Sequence, residues 1–225
     1  MTRIKICGVT DIDNALACVE AGADLIGLNF YQPSPRSIPV ERARELAAEL
    51  RAAFGARCPL LVGVFVNEDA ADIRRVADIV GLDAAQLSGD EAGETLAALD
   101  GIGIKAIRPR SQGEALVYAD TFAPHASRDE RLPSLLVDAY HKALYGGTGE
   151  QASIAVALAV KGRTPRMMLA GGLGPDTVAP RVEAIRPWGV DVASGVEDDQ
   201  PGIKDLAKVR ALVAAVRTVD GVSIQ

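Results

Sequence analysis

Short apolar runs alternate with amphipathic stretches along the whole chain. Runs dominated by Val, Ile, Leu and Ala cover residues 3–7, 24–30, 60–66, 83–87, 103–108, 134–138, 166–170 and 189–194. Their β-branched content and their Gly or Pro boundaries predict strands rather than buried helices. Helical periodicity occupies residues 11–21, 39–54, 69–79, 91–99, 151–160, 175–184 and 204–216. Asp11 is placed to cap the first of these helices, and Gly22 beyond its end can supply a left-handed stop. Pro39 opens the second helix, where its missing N–H costs nothing. Residues 111–133 show no clear period and are expected to be irregular.

Strands and helices that alternate without a composition break imply parallel strands joined by right-handed crossovers. Eight such units close into a (β/α)8 TIM barrel, whereas fewer would leave an open doubly wound sheet. The expected architecture is an α/β barrel with residues 1–225 as one catalytic domain. A chain of 225 residues, 48% hydrophobic and 24% charged, can bury a core without disulfide or metal staples.

Charge and cysteine usage narrow the function. The net charge of −6 comes with no dense Lys/Arg run, so the surface repels phosphate backbones and no nucleic-acid partner is expected. The odd, sparse set of Cys7, Cys18 and Cys58 argues against a secreted disulfide framework. Two histidines, His125 and His141, and no close Cys/His cluster argue against a zinc site, so no metal is expected. Both histidines are expected at the surface. Residues 1–5 lack the apolar stretch of a signal peptide, and no apolar run reaches membrane-spanning length. A cytoplasmic chain with no membrane partner is expected, and the sequence leaves monomer and homodimer both open.

In such barrels the chemistry lies at the C-terminal ends of the strands. Strand one ends at Cys7, and its period of two puts Lys5 and Cys7 on one face and Ile4 and Ile6 on the other. Turning the apolar pair toward the helices aims Cys7 at the barrel mouth. There it is either a small buried hydrophobe or a base, and a base needs a lowered pKa, to which Lys5 could contribute. Cys18 and Cys58 read as structural. Strand six ends at Asp138, which either caps its loop or acts as a general acid. After strand two, Pro33 and Pro35 stiffen a loop presenting Arg36, suited to a carboxylate or to an ordinary ion pair. Strands seven and eight run into Gly171–Gly172 and Ser194–Gly195, the usual place for a phosphate in this fold. Glu197, Asp198 and Asp199, close by, are expected to point into solvent, because a carboxylate facing a phosphate repels it.

The motifs resemble, in order, those of the phosphoribosylanthranilate isomerase family of tryptophan biosynthesis, over nearly the whole chain. The likeness rests on Lys5-Ile6-Cys7-Gly8, Ser34-Pro35-Arg36, Gln86-Leu87, Leu136-Val137-Asp138-Ala139 and Tyr145-Gly146-Gly147-Thr148-Gly149. It continues with Leu169-Ala170-Gly171-Gly172-Leu173, Ser194-Gly195-Val196-Glu197 and Pro201-Gly202-Ile203-Lys204-Asp205. The resemblance implies a cofactor-free Amadori rearrangement of N-(5-phosphoribosyl)anthranilate. It implies Asp138 as general acid, Cys7 as general base and Arg36 on the anthranilate carboxylate. Backbone N–H groups near Gly171, Gly172, Ser194 and Gly195 would hold the phosphate. Two positions depart from the family pattern: Ser88 stands where a His is frequent, and residues 152–156 lack an aromatic element.

Three other readings stand beside this one, among them a thiol redox or covalent enzyme, which would want a resolving cysteine or a His beside Cys7. A different phosphosugar barrel enzyme would use paired aspartates or a Lys–Glu set, yet residues 1–10 contain no Asp or Glu. A non-catalytic barrel binding a phosphorylated small molecule would keep the glycine pairs without needing both Cys7 and Asp138.

Overall fold

The structure, a computed structural model, describes residues 1–138 and 153–221. The strands are β1 (Arg3–Cys7), β2 (Leu25–Asn29), β3 (Leu60–Phe65), β4 (Ala84–Leu87), β5 (Gly103–Ile107), β6 (Leu135–Val137), β7 (Met167–Leu169) and β8 (Gly189–Val192). The helices are α1 (Ile12–Glu20), α2 (Val40–Phe54), α3 (Ala70–Val80), α4 (Gly93–Ala98), α5 (Gln112–Phe122), α6 (Ile154–Lys161), α7 (Pro175–Ile185) and α8 (Leu206–Val219). Each strand pairs in parallel with the next, and β8 returns to β1 in the register Lys5↔Asp191, so the sheet is a closed (β/α)8 barrel.

Side-chain alternation builds two apolar layers. Ile4, Ile6, Leu135, Val137, Val190 and Val192 face outward into one core shared with the helices. Leu25, Val62, Ile104, Leu136 and Met168 face inward and fill the barrel axis. The interior is therefore packed, not hollow, below the level of the strand ends. Lys5, Gln86 and Asp191 occupy inward positions too, which makes the upper interior polar. Among the described residues, no helix is long and apolar enough to cross a membrane.

Local signals work as expected at several ends. The Asp11 carboxylate accepts the Asn14 N–H at 3.0 Å and caps α1. Pro39 is the residue before α2, with extended backbone, so its ring precedes the helix without breaking it. The segment 111–133 departs from expectation. It contains α5, capped by the Ser111 hydroxyl, which accepts the Glu114 N–H. Its apolar period is obscured because Val117 and Tyr118 face outward, while the buried face is made of Ala115, Ala119 and Phe122. A wide apolar distribution hides a helical stripe from the eye. The glycine motif at residues 145–149 and His141 lie outside the described residues. So does the start of the helix expected at 151.

Closure of the ring is reinforced beyond the β1–β8 ladder. The Thr2 N–H and hydroxyl donate to the two carboxylate oxygens of Asp220, each at 2.8 Å, and Arg217 Nη1 donates to the Thr2 carbonyl at 2.6 Å.

Candidate active site

The strand ends surround a cavity of about 740 Å³ that is open to solvent. Cys7 from β1, Arg36 from the loop after β2 and Asp138 after β6 all line it. So do Gly171, Gly172, Ser194 and Gly195 after β7 and β8. The strand ends on which the sequence places these residues meet at one mouth in the fold. His125 is exposed on the outer surface beside Gly93, while Cys18 is fully buried in α1 and Cys58 half-buried before β3. Among the described residues no His/Cys/Asp/Glu cluster could hold a metal ion.

The floor of the cavity is a charged network. Lys5, almost fully buried, donates from Nζ to Gln86 Oε1 at 2.8 Å and to Asp191 Oδ1 at 3.0 Å. Gln86 Nε2 in turn donates to the Ser88 hydroxyl at 3.0 Å, and Arg108 Nη1 holds the Ser88 carbonyl at 2.7 Å. Ser88 therefore ends a hydrogen-bond chain that starts at Asp191. Burial would drive the Lys5 ammonium to deprotonate, but the Asp191 carboxylate and then the Cys7 sulfur reverse this and raise its pKa. The lone carboxylate in the otherwise apolar Gly189-Val190-Asp191-Val192 run was the visible signal for this network, and periodicity alone gave it no role.

Cys7 departs from the expectation of an activated thiol. Burial pushes its pKa up from 9.0, and the ammonium groups of Lys5 and Lys204 only partly offset that, with Asp191 adding to the rise. The sulfur sits against Gly27, its register partner on β2. A Cβ at Gly27 would lie 2.7 Å from Cys7 Sγ, so only glycine leaves the thiol its position.

Arg36 reaches the cavity through a stapled loop. The Ser34 hydroxyl accepts the Arg36 N–H at 3.2 Å and Asn29 Nδ2 at 3.1 Å, which fixes the turn. The Arg36 side chain then passes over Gly8, whose φ of +71° and whose missing Cβ, 2.7 Å from Arg36 Cδ, leave room for it. Its fork meets Glu197, with Nε to Oε1 at 2.8 Å and Nη2 to Oε2 at 2.6 Å. This corrects the expectation that Glu197 points into solvent: it is 5% exposed, whereas Asp198 and Asp199 are exposed as expected. The physical reason is compensation by Arg36 and Lys204, whose Nζ lies 2.9 Å from Glu197 Oε1. Burial alone would raise the Glu197 pKa, but hydrogen bonds from Arg36 and then Lys204 pull it from 4.5 to about 2. Neither partner of Glu197 was apparent in the sequence. Arg36 is 161 residues from Glu197 in the chain, and Lys204, only seven residues on, faces it because the loop after β8 folds back in an antiparallel bridge that periodicity does not reveal.

The β7 and β8 loops make a backbone cradle. Gly171 and Gly172 both take positive φ, +89° and +59°, a turn that side chains resist. The Thr177 hydroxyl closes it by accepting the Gly174 N–H at 2.9 Å and donating to the Gly172 carbonyl at 3.0 Å. Opposite lies the short 3-10 helix Ser194–Val196. The N–H groups of Gly171, Gly172, Ser194 and Gly195 make no backbone hydrogen bond to another described residue. Together with the N-terminus of α7, they form an electropositive concavity suited to an anion.

Comparison with known proteins identifies the family and the fold. The family model described as N-(5'phosphoribosyl)anthranilate (PRA) isomerase matches residues 4–215. A relative from Roseiflexus sp. (strain RS-1), named N-(5'-phosphoribosyl)anthranilate isomerase, is 44% identical over 220 residues, covering 96% of this chain and 98% of its own. The crystal structure of phosphoribosyl anthranilate isomerase from Thermotoga maritima superposes with a TM-score of 0.82 at 33% identity, covering 97% of this chain and 100% of its own. A further isomerase structure, in complex with reduced 1-(o-carboxyphenylamino)-1-deoxyribulose 5-phosphate, has a TM-score of 0.79 at 33% identity, with the same coverage of both chains. A family match spanning almost every strand, together with relatives of this identity over full length, means that the chain belongs to the N-(5'-phosphoribosyl)anthranilate isomerase family.

Proposed function

We propose that the chain catalyses the Amadori rearrangement of N-(5-phosphoribosyl)anthranilate to 1-(2-carboxyphenylamino)-1-deoxyribulose 5-phosphate, in tryptophan biosynthesis. The Asp138 carboxyl protonates the ribose ring oxygen while the anthranilate nitrogen lone pair expels it from C1, opening the furanose to a Schiff base. The Cys7 thiolate then takes the C2 proton, and the C–H electrons form the C1=C2 bond and neutralise the nitrogen. The enolamine so formed moves its hydroxyl proton to C1 and becomes the ketone. C2 is oxidised and C1 reduced within one molecule, so no external electron carrier enters the balance.

The raised Cys7 pKa shapes this chemistry. Few thiols are ionised at neutral pH, but those that are make strong bases, and the protonated Schiff base acidifies the C2 proton they remove. Arg36 takes the anthranilate carboxylate and the Gly171–Gly172 and Ser194–Gly195 turns take the phosphate. Anchoring both ends supplies the orientation that general acid–base groups need. Lys5, Arg36 and Lys204 carry one more charge than Asp191 and Glu197 between them, which favours an anionic ligand.

The observation that carries this reading is that Cys7 and Asp138, from strands far apart in sequence, open onto one cavity bordered by the glycine cradle. The test is turnover of freshly generated phosphoribosylanthranilate by the purified chain, with chelator present, alongside Cys7→Ser and Asp138→Asn. Each variant is expected to lose about 10²–10⁴-fold in kcat at unchanged melting temperature. Turnover near wild type in either variant removes that residue from the mechanism.

A further inference from the structure

Glu197 lies buried behind Arg36, just beyond the Ser194–Gly195 turn that lines the cavity, where a carboxylate needs compensation. Four donors compensate it: Arg36 Nε and Nη2, Lys204 Nζ at 2.9 Å and the Gly202 N–H at 2.9 Å. Its own N–H donates to the Ser194 carbonyl at 3.2 Å, which closes the turn whose N–H groups face the cavity. The residue that grips Arg36 is thus the last link of the proposed phosphate turn. Arg36 itself is 15% exposed and is confined on its other side by the backbone of Gly8.

A guanidinium carries five N–H donors in a planar fork. Glu197 occupies two of them along the Nε–Nη2 edge, and among the described residues Nη1 has no hydrogen-bond partner. The end-on Nη1–Nη2 edge is therefore left for a second planar anion, with its orientation set by the first. Arg36 and Lys204 are two positive charges against one negative, so the cluster still attracts a carboxylate.

We propose that Glu197 is a positioning residue: it fixes the plane of the Arg36 fork and joins that fork to the phosphate turn, so that the cavity selects ligands bearing a planar carboxylate opposite a phosphate. This rests on the reading of Arg36 as the carboxylate anchor. A glutamine at the position turns an NH2 group against Arg36 or Lys204, whose facing groups are donors only, and the fork rotates away.

The experiment measures calorimetric affinities of two ligands. One is reduced 1-(2-carboxyphenylamino)-1-deoxyribulose 5-phosphate, and the other is the same molecule with a plain phenyl ring. Glu197→Gln is expected to weaken the carboxylated ligand about tenfold or more and the plain one by no more than about twofold. In a double-mutant cycle, Arg36→Ala with Glu197→Gln loses no more than Arg36→Ala alone. Glu197→Asp keeps the charge but shortens the reach. It is expected to show the same ligand-selective loss, and it serves if the glutamine variant does not fold. Equal weakening of both ligands, or additive losses in the double variant, overturns the proposal. If Arg36→Ala itself fails to discriminate the two ligands, the carboxylate-anchor reading falls instead.

Discussion

Replacing Gly195 by alanine puts a single methyl group between the loops that follow β7 and β8. That Cβ would stand 1.9 Å from the Leu173 carbonyl oxygen, 2.9 Å from its carbon and 3.1 Å from Gly174 Cα. Real Cβ contacts essentially never fall under 3.0 Å, and every obstacle here is backbone, so no rotamer relieves the clash. One loop must retreat by about 1 Å, and a displacement of that size at a substrate-positioning group costs about 10²-fold in rate. Overpacking of this kind also costs about 1–3 kcal/mol of stability, or about 2–4 °C of melting temperature per kcal/mol in a chain this long. Gly195→Ala is therefore expected to lose about 10²-fold in kcat/KM, mostly through KM, and to weaken competitive inhibition by inorganic phosphate in parallel. Gly113→Ala is the control, since its nearest neighbour, the Ser111 hydroxyl, is 3.8 Å away. If Gly195→Ala keeps kcat/KM and phosphate inhibition within about threefold of wild type, the cradle does not depend on this close approach and the assignment of the turn is wrong.

Two titrations supply further predictions. Because burial raises the Cys7 pKa from 9.0, the alkaline limb of the kcat/KM profile should lie above the ordinary thiol range. Lys5→Met removes an ammonium that opposes the rise and should move that limb to still higher pH; movement to lower pH would contradict the network. Glu197 works at the acid end. Its folded pKa, about 2, is depressed from 4.5, so its stabilisation is complete above the unfolded value and is lost as pH falls from 4.5 toward 2. Urea unfolding of the wild type should weaken across that window more steeply than unfolding of Glu197→Gln, and equal slopes would refute the assignment.

The barrel was legible because its instruction is repeated: eight apolar runs, each with the same alternation, specify the same pairing rule eight times. Cys7, Asp138 and the two glycine turns were legible for a related reason, since a strand of known direction tells which residue stands at its open end. α5 was not, because its buried stripe is largely alanine and its outer face carries Val117 and Tyr118. Glu197 was misjudged by a sound rule applied to incomplete surroundings. A lone carboxylate beside a phosphate site does belong in water, but Arg36 reaches it from 161 residues away, and no local pattern announces that meeting. The same holds for Lys5 and Asp191, joined across 186 residues of chain. Long-range charge pairing is a property of the folded surface, and local sequence carries only the unpaired halves.

The β1–β8 junction has a consequence for how the protein comes to work. Cys7 stands on one side of that junction and the Ser194–Gly195 turn on the other, so neither half of the hoop offers a complete grip. Contacts between residues so remote in sequence are costly to form, because the entropy of closing the intervening chain is lost before they reward it. A molecule held at both places acts as a clasp, and by mass action it favours the fastened hoop over any form with that last joint undone.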